Sequence, residues 1–119
     1  MRPTLLLFLV ACNAAGAQAP VDVDPPCASV EDGVWESNPW TSVDPTCGYL
    51  EYAGETTYRI AHDLGRVPRS VDLYVSFSAA GDSVAPPAGD MARIQEVSDT
   101  HIEVRNQTDA EFFLRVVAR

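Results

Sequence analysis

The sequence contains no lysine and only three cysteines. Its positive charge comes from eight arginines, against seventeen acidic residues, so the formal net charge is −9. Such an acidic chain is unsuited to nucleic acid and to electrostatic attachment to anionic lipid. We therefore predict that nucleic acid is not among its partners.

Long apolar stretches are also missing. The run near the N-terminus, Leu5 to Ala11, is far shorter than the roughly 20 residues of a membrane-spanning helix. It suits the apolar region of a secretory signal instead. The residues Leu9-Val10-Ala11-Cys12 resemble the lipobox of bacterial lipoproteins, which implies a signal peptide over residues 1–11 and a diacylated Cys12. Ordinary cleavage before Gln18, giving a secreted or periplasmic protein, is the alternative.

Catalytic motifs are absent as well. The sequence has no G-x-S-x-G, no HExxH and no phosphate-binding glycine loop. The pair His62-Asp63 stands out, but neighbouring residues of a strand face opposite ways, so Asp63 is poorly placed to orient the imidazole. We predict that His62 ends a strand before the Gly65 turn, and that the protein is not an enzyme.

The acidic residues are unevenly distributed. Residues 12–58 include eight acidic residues and no basic one. Their side chains could offer oxygen ligands to calcium, but EF-hand spacing is missing. We read them as a solvated surface and predict neither a metal site nor a cofactor. The acidic residues considered as calcium ligands are Asp22, Asp24, Glu31, Asp32 and Asp44.

The two cysteines after Cys12 favour a disulfide between Cys27 and Cys47, because export places them where disulfides persist. Closing this loop would stabilise the fold by roughly 3 kcal/mol. Two buried free thiols are the alternative. Zinc is disfavoured because no CxxC pair or Cys/His cluster accompanies them.

Beyond the signal, residues 12–26 read as a flexible tether and residues 27–119 as one domain. Alternating apolar and polar residues with frequent turns predict six or seven short strands in a small antiparallel β-sandwich. In the clearest strand, Ser70 to Ser78, the apolar Val71, Leu73, Val75 and Phe77 lie on one side. In the last two strands we expect these residues to point inward: Ile102, Val104, Phe112, Leu114 and Val116. Turns at Ser98-Asp99 and at 106–109 predict hairpins. The predicted strands lie near 34–35, 49–52, 56–62, 70–78, 91–97, 101–105 and 110–117.

Residues 56–119 carry a further resemblance. The order IAHDLGRVPRSVDLYV, a long loop, IEVRN and FFLRVV is similar to the β-sandwich tips of phage tail fibres and to H-type lectins. FFLRVVAR stands where H-type lectins have an aromatic-rich closing strand. The resemblance implies the sandwich fold and a binding role, and it assigns no binding residues.

Candidate contact residues come from aromatic and arginine side chains. Trp40, after Asn38-Pro39, is the best candidate for stacking on a ligand, and Trp35 is the second, although Trp35 fits a core position better. Arg59, Arg66 and Arg69 either pair with the acidic half inside the fold or form a patch for an acidic partner. We therefore expect a membrane-tethered binding module for carbohydrate or cell-envelope glycan. An accessory subunit of an envelope complex is the alternative.

Overall fold

A computed structural model describes residues 18–41 and 43–119. These residues form two packed β-sheets, which confirms the predicted all-β sandwich, and two short 3₁₀ turns at Pro45–Cys47 and Gly89–Met91. No helix in the described ranges has the length and apolar character to cross a membrane. Cys12 and the lipobox lie outside them. The strands are β1 (Val21–Val23), β2 (Ser29–Glu31), β3 (Val34–Glu36), β4 (Leu50–Tyr52), β5 (Thr56–Ala61), β6 (Val71–Ser76), β7 (Arg93–Val97), β8 (His101–Asn106) and β9 (Phe112–Ala118).

Sheet I has the order β1-β5-β8-β7, and sheet II is built around β9. One edge of β9 pairs with β4 and then with β3, and its other edge pairs with β6 along most of its length. All pairs are antiparallel except β1 with β5, which is parallel. The last strand of the chain is therefore the centre of sheet II.

The core lies between the sheets and follows the two-residue period of the strands. Ile102 and Val104 of β8 face Leu114 and Val116 of β9, and all four are fully buried. This confirms the predicted inward faces of those strands. Cys27 and Cys47 form the predicted disulfide, with their Cα atoms 5.3 Å apart.

Two short strands lie where the sequence indicated none. Val21–Val23, inside the predicted flexible tether, pairs with Tyr58–Ile60 of β5. Ser29–Glu31, in the predicted loop, pairs with β3. Three-residue strands are too short to show a hydrophobic period. In both cases the segment is extended because it pairs with a neighbouring strand.

Two details of the predicted strands are wrong. Phe77 is 72% exposed, because β6 ends at Ser76 and Phe77 no longer follows the alternation of the strand. The turn at 106–109 does not close a hairpin: β8 lies in sheet I and β9 in sheet II, so the chain crosses between the sheets there. The hairpin at Ser98-Asp99 is confirmed.

Asn106 makes the crossing possible. Its side chain is fully buried and donates to the carbonyls of Tyr52 and Ala110 at 3.3 and 2.8 Å. Its Oδ1 accepts from the backbone and hydroxyl of Thr108. The Asn-Gln-Thr sequon thus holds a buried turn, and this asparagine is inaccessible as the chain is folded.

The core contains two neighbouring tyrosines, Tyr52 and Tyr58, whose ring centres lie 5.6 Å apart. The Tyr58 hydroxyl accepts from the Ala53 backbone N–H at 2.8 Å. The Tyr52 hydroxyl is buried and has no hydrogen-bond partner among the described residues. Burial raises the pKa of Tyr52 far above its usual value, and Tyr58 adds to this shift.

Tyr52→Phe is expected to leave the free energy of unfolding near pH 7 unchanged or slightly higher, because it removes an unpaired buried hydroxyl. It should also weaken the loss of stability above about pH 10, where the unfolded chain releases the Tyr52 proton and the folded chain keeps it. Tyr58→Phe, the control, should cost about 1 kcal/mol. Urea unfolding near pH 7 and above about pH 10 measures the free energy of unfolding of each variant. If Tyr52→Phe loses more than about 1 kcal/mol near neutral pH, the prediction is contradicted.

Candidate functional site

The outer face of sheet II carries a buried arginine. Leu114, Val116 and Ala118 of β9 point into the core, so Arg115 points to the opposite face, where its side chain is nevertheless fully buried. Asn38 and Trp40, which lie between the two half-cystines, provide part of the cover. A guanidinium in such a place requires partners, since an isolated buried charge is very costly.

Four residues contact the Arg115 guanidinium. One terminal nitrogen makes a short ion pair with the Glu36 carboxylate of β3. The Nε atom donates to the Asn38 carbonyl at 3.1 Å. The guanidinium carbon lies 3.8 Å from the centre of the Trp40 ring and 5.9 Å from that of Tyr74, within cation–π range. Arg115 therefore joins β3, β6, β9 and the disulfide loop.

Trp40 is held on top of this arginine. Its indole meets Tyr74 edge to face, with the ring centres 4.9 Å apart, while half of the side chain stays exposed. An aromatic ring that is fixed by packing and still open to solvent can bind a ligand without losing much conformational entropy. Among the predicted contact residues, Trp40 is the one that the structure places in this way.

A groove of about 370 Å³ runs beside Trp40, and we call it the Trp40 groove. Pro39, Val43, Asp44, Tyr49 and Ala79 are among the residues that line it. The two chain segments that form its walls are joined directly, because the Tyr49 N–H donates to the Ala79 carbonyl at 2.8 Å. This close contact requires the adjacent Gly48, since a Cβ there would lie 2.9 Å from the same carbonyl oxygen.

The Asp44 carboxylate gives the groove its polar character. Asp44 accepts from the backbone N–H and the hydroxyl of Thr46 at 2.9 and 2.8 Å. These hydrogen bonds lower the pKa of the Asp44 carboxyl, so it is ionised at neutral pH. The Tyr49 hydroxyl adds no accessible polar atom, because its oxygen is buried and lacks a hydrogen-bond partner among the described residues. Burial raises the pKa of this hydroxyl, so it is neutral.

Trp35 has no part in an exposed site. Its side chain is fully buried between the sheets and meets the His62 ring edge to face at 6.2 Å. As a ligand-contact residue the prediction fails, and the core position that the sequence favoured for it is the one observed.

The three predicted arginines have separate partners in the structure. Arg59 contacts Glu103 at 3.3 Å and Asp22 at 3.9 Å. Arg66 donates to the Gly33 carbonyl, and the Arg69 backbone N–H donates to the Arg119 carbonyl. Arg59 therefore pairs with one acidic residue of the N-terminal half, Asp22, and Arg66 contacts that half through a backbone carbonyl.

Protein families, curated proteins and solved structures were compared for similarity to this chain. None of the three comparisons found a match to this chain. The resemblance to tail-fibre tips and H-type lectins therefore stays a prediction.

His62 is engaged by the backbone at both ring nitrogens. Nε2 lies 2.8 Å from the Ser98 carbonyl, to which it can donate, and Nδ1 accepts from the Leu64 N–H. The ring is buried, and it joins the end of β5 to the turn between β7 and β8. These contacts assign His62 a structural role, in agreement with the strand-end interpretation.

Sequence reasoning missed Arg115 and Tyr74. Both lie in alternating strands, at positions that the two-residue period assigns to the outer face, where solvent is the ordinary expectation. They pair directly across β6 and β9. The aromatic and proline residues of the disulfide loop are the signal that could have indicated a segment packed against this face.

Proposed function

We propose that this protein is a lipid-anchored binding module of the cell envelope whose Trp40 groove binds carbohydrate. The observation that carries the proposal is the half-exposed Trp40 indole, fixed over the buried Arg115 beside a groove of about 370 Å³. Ligand sites typically combine a mainly apolar concavity with a few placed polar groups. The groove has both.

The chemistry of the groove suits a sugar. An exposed indole offers an apolar surface to the C–H face of a pyranose ring. The ionised Asp44 carboxylate, already oriented by Thr46, can accept hydrogen bonds from sugar hydroxyls. The proline residues that flank this part of the groove, Pro39 and Pro45, limit backbone movement and so reduce the entropy lost on binding.

Trp40→Ala is expected to weaken glycan binding by at least about 30-fold, which corresponds to the roughly 2 kcal/mol of an aromatic anchor residue. The measurement is a glycan array of the purified protein, followed by titration of the glycans that bind. Phe77→Ala is the matched control, because Phe77 is an exposed aromatic residue outside the groove. Equal losses in both variants, or glycan binding that survives Trp40→Ala, would contradict the assignment of the groove.

The anchor has a separate test. The intact mass of protein from the membrane fraction is expected to show acyl chains on a mature chain that starts at Cys12, because two or more chains hold a protein firmly on a bilayer. Cys12→Ala should abolish the added mass. A mature protein that starts at Gln18 would exclude the lipid anchor and leave the groove assignment untouched.

One observation favours the second candidate, an accessory subunit of an envelope protein complex. Phe77 is largely exposed, packs against Phe112 with ring centres 6.0 Å apart, and borders an apolar cavity of about 210 Å³. Exposed aromatic residues beside an apolar cavity are typical of protein interfaces. If the array shows no glycan binding, this surface becomes the better candidate and protein partners at the membrane are the next target.

A further inference from the structure

The outer face of sheet I holds a second group of reactive side chains, far in the fold from the Trp40 groove on sheet II. Glu96 of β7 lies directly opposite Glu103 of β8, and His101 lies two residues before Glu103, on the same face of that strand. One ligand atom from each of the three residues lies within 4.8 Å of the others. Glu96 is exposed, and His101 and Glu103 are half-buried.

Two carboxylates in register on neighbouring strands repel each other. Here Arg59 of β5 contacts Glu103 at 3.3 Å, and the His101 Nε2 atom lies 2.5 Å from a Glu96 oxygen. The pairing of β7 with β8 shifts register between Ile94 and Glu96, and it is after this irregularity that Glu96 stands opposite Glu103. Bulges of this kind often turn a side chain toward a site.

The His101 ring is oriented by hydroxyl groups near its Nδ1 atom. Its Nδ1 atom lies 3.2 Å from the Ser98 hydroxyl and 3.2 Å from the Thr100 hydroxyl, either of which can accept the Nδ1 proton. The Ser98 oxygen is itself held by the backbone N–H groups of Thr100 and His101. With the proton on Nδ1, the Nε2 lone pair points toward the carboxylates. Metal-binding histidines are usually fixed by such a contact at the other ring nitrogen.

The surroundings favour a cation. A concavity of about 460 Å³ adjoins His101, and three of the residues that line it, Asp22, Asp24 and Asp63, carry carboxylates. Arg59 is the single cation among its lining residues. A concave surface with an excess of one charge raises the local concentration of the opposite ion.

We propose that Glu96, His101 and Glu103 bind a divalent transition-metal ion, with Zn²⁺ as the best fit. One imidazole nitrogen and two carboxylate oxygens are ordinary zinc ligands, whereas Ca²⁺ and Mg²⁺ take oxygen alone. Ligand atoms around a tetrahedral zinc lie roughly 3.3 Å apart. Rotation of the exposed Glu96 side chain can reach this spacing, because the three ligand atoms already lie within 4.8 Å of one another. Three protein ligands leave the fourth position open to water or to a group on a partner.

The test is calorimetric titration of the purified full chain with ZnCl₂, repeated with CaCl₂ and MgCl₂. Glu96→Gln is the most informative variant, because Glu96 is exposed and its side chain contacts His101. Glu96→Gln and His101→Gln are each expected to weaken zinc binding by at least about 100-fold, and Ser98→Ala by about tenfold through loss of ring orientation. Glu51→Gln, an exposed carboxylate on sheet II, is the matched control and should bind zinc as the unmodified chain does.

The expected result is one saturable zinc site per chain, with no comparable heat from calcium or magnesium. Thermal unfolding gives an independent measure, because zinc should raise the unfolding temperature of the unmodified chain and of Glu51→Gln but not of Glu96→Gln. Circular dichroism without metal confirms that each variant is folded. Absence of saturable zinc binding, or equal affinity in all variants, would overturn the proposal and leave an ion pair between His101 and Glu96.

Discussion

Replacing Glu36 with glutamine is expected to lower the free energy of unfolding by about 3 kcal/mol, because it leaves the fully buried Arg115 charge without its counter-ion. The total stability of a domain this size is about 5–15 kcal/mol, so the loss is severe. Urea unfolding followed by circular dichroism measures it. Trp40 fluorescence should change in the same variant, since the arginine under the indole loses its anchor.

A second substitution separates the loss of an ion pair from a general packing defect. Adding Arg115→Met removes the buried charge and keeps most of the volume, so the double variant is expected to be more stable than Glu36→Gln alone. Asp72→Asn provides the surface control, because it breaks the exposed Asp72–Arg119 pair and should cost less than about 1 kcal/mol. If the double variant is the least stable of all, the charge is not the cause.

Removing the disulfide with Cys27→Ser and Cys47→Ser is expected to cost about 3 kcal/mol, mainly by freeing the unfolded chain. The unfolding temperature should fall by roughly 10–20 °C. Differential scanning calorimetry measures the fall, and the double-serine variant should no longer respond to a reductant. The loop that carries Trp40 lies between these cysteines, so glycan binding should weaken as well.

The comparison of reduced and oxidised protein tests the same point without mutation. Reduction should lower the unfolding temperature of the unmodified chain by an amount similar to that seen in the double-serine variant. An unfolding temperature that is insensitive to reductant would show that the covalent link contributes nothing measurable. It would also remove the physical reason for placing a rigid site on this loop.

Strand patterns predicted most of the fold, and the failures have physical causes. Ser70 to Ser78 alternates clearly, and β6 was found there. Val21–Val23 is ordered by its parallel neighbour β5, which no local pattern can indicate. The turn at 106–109 has hairpin residues, but the buried Asn106 amide replaces strand pairing and sends the chain to the other sheet.

The candidate sites were harder to predict because they depend on pairing across strands. Trp40 could be selected from its place beside Asn38-Pro39 in a loop. Arg115 could not, since an arginine in an alternating strand ordinarily faces solvent. The Glu96, His101 and Glu103 group has no motif spacing. The predicted turn at Ser98-Asp99 brings these strands together, but the pairing of Glu96 with Glu103 depends on the register of β7 and β8, which the sequence does not indicate.

The parallel strand β1 limits how far the domain can stand from a membrane. For the lipid-anchored form proposed above, eight residues separate Cys12 from Val21. Fully extended, they reach about 28 Å. The β1 end of the sandwich would then stay within that distance of the bilayer surface, so this protein would meet its ligands close to the membrane.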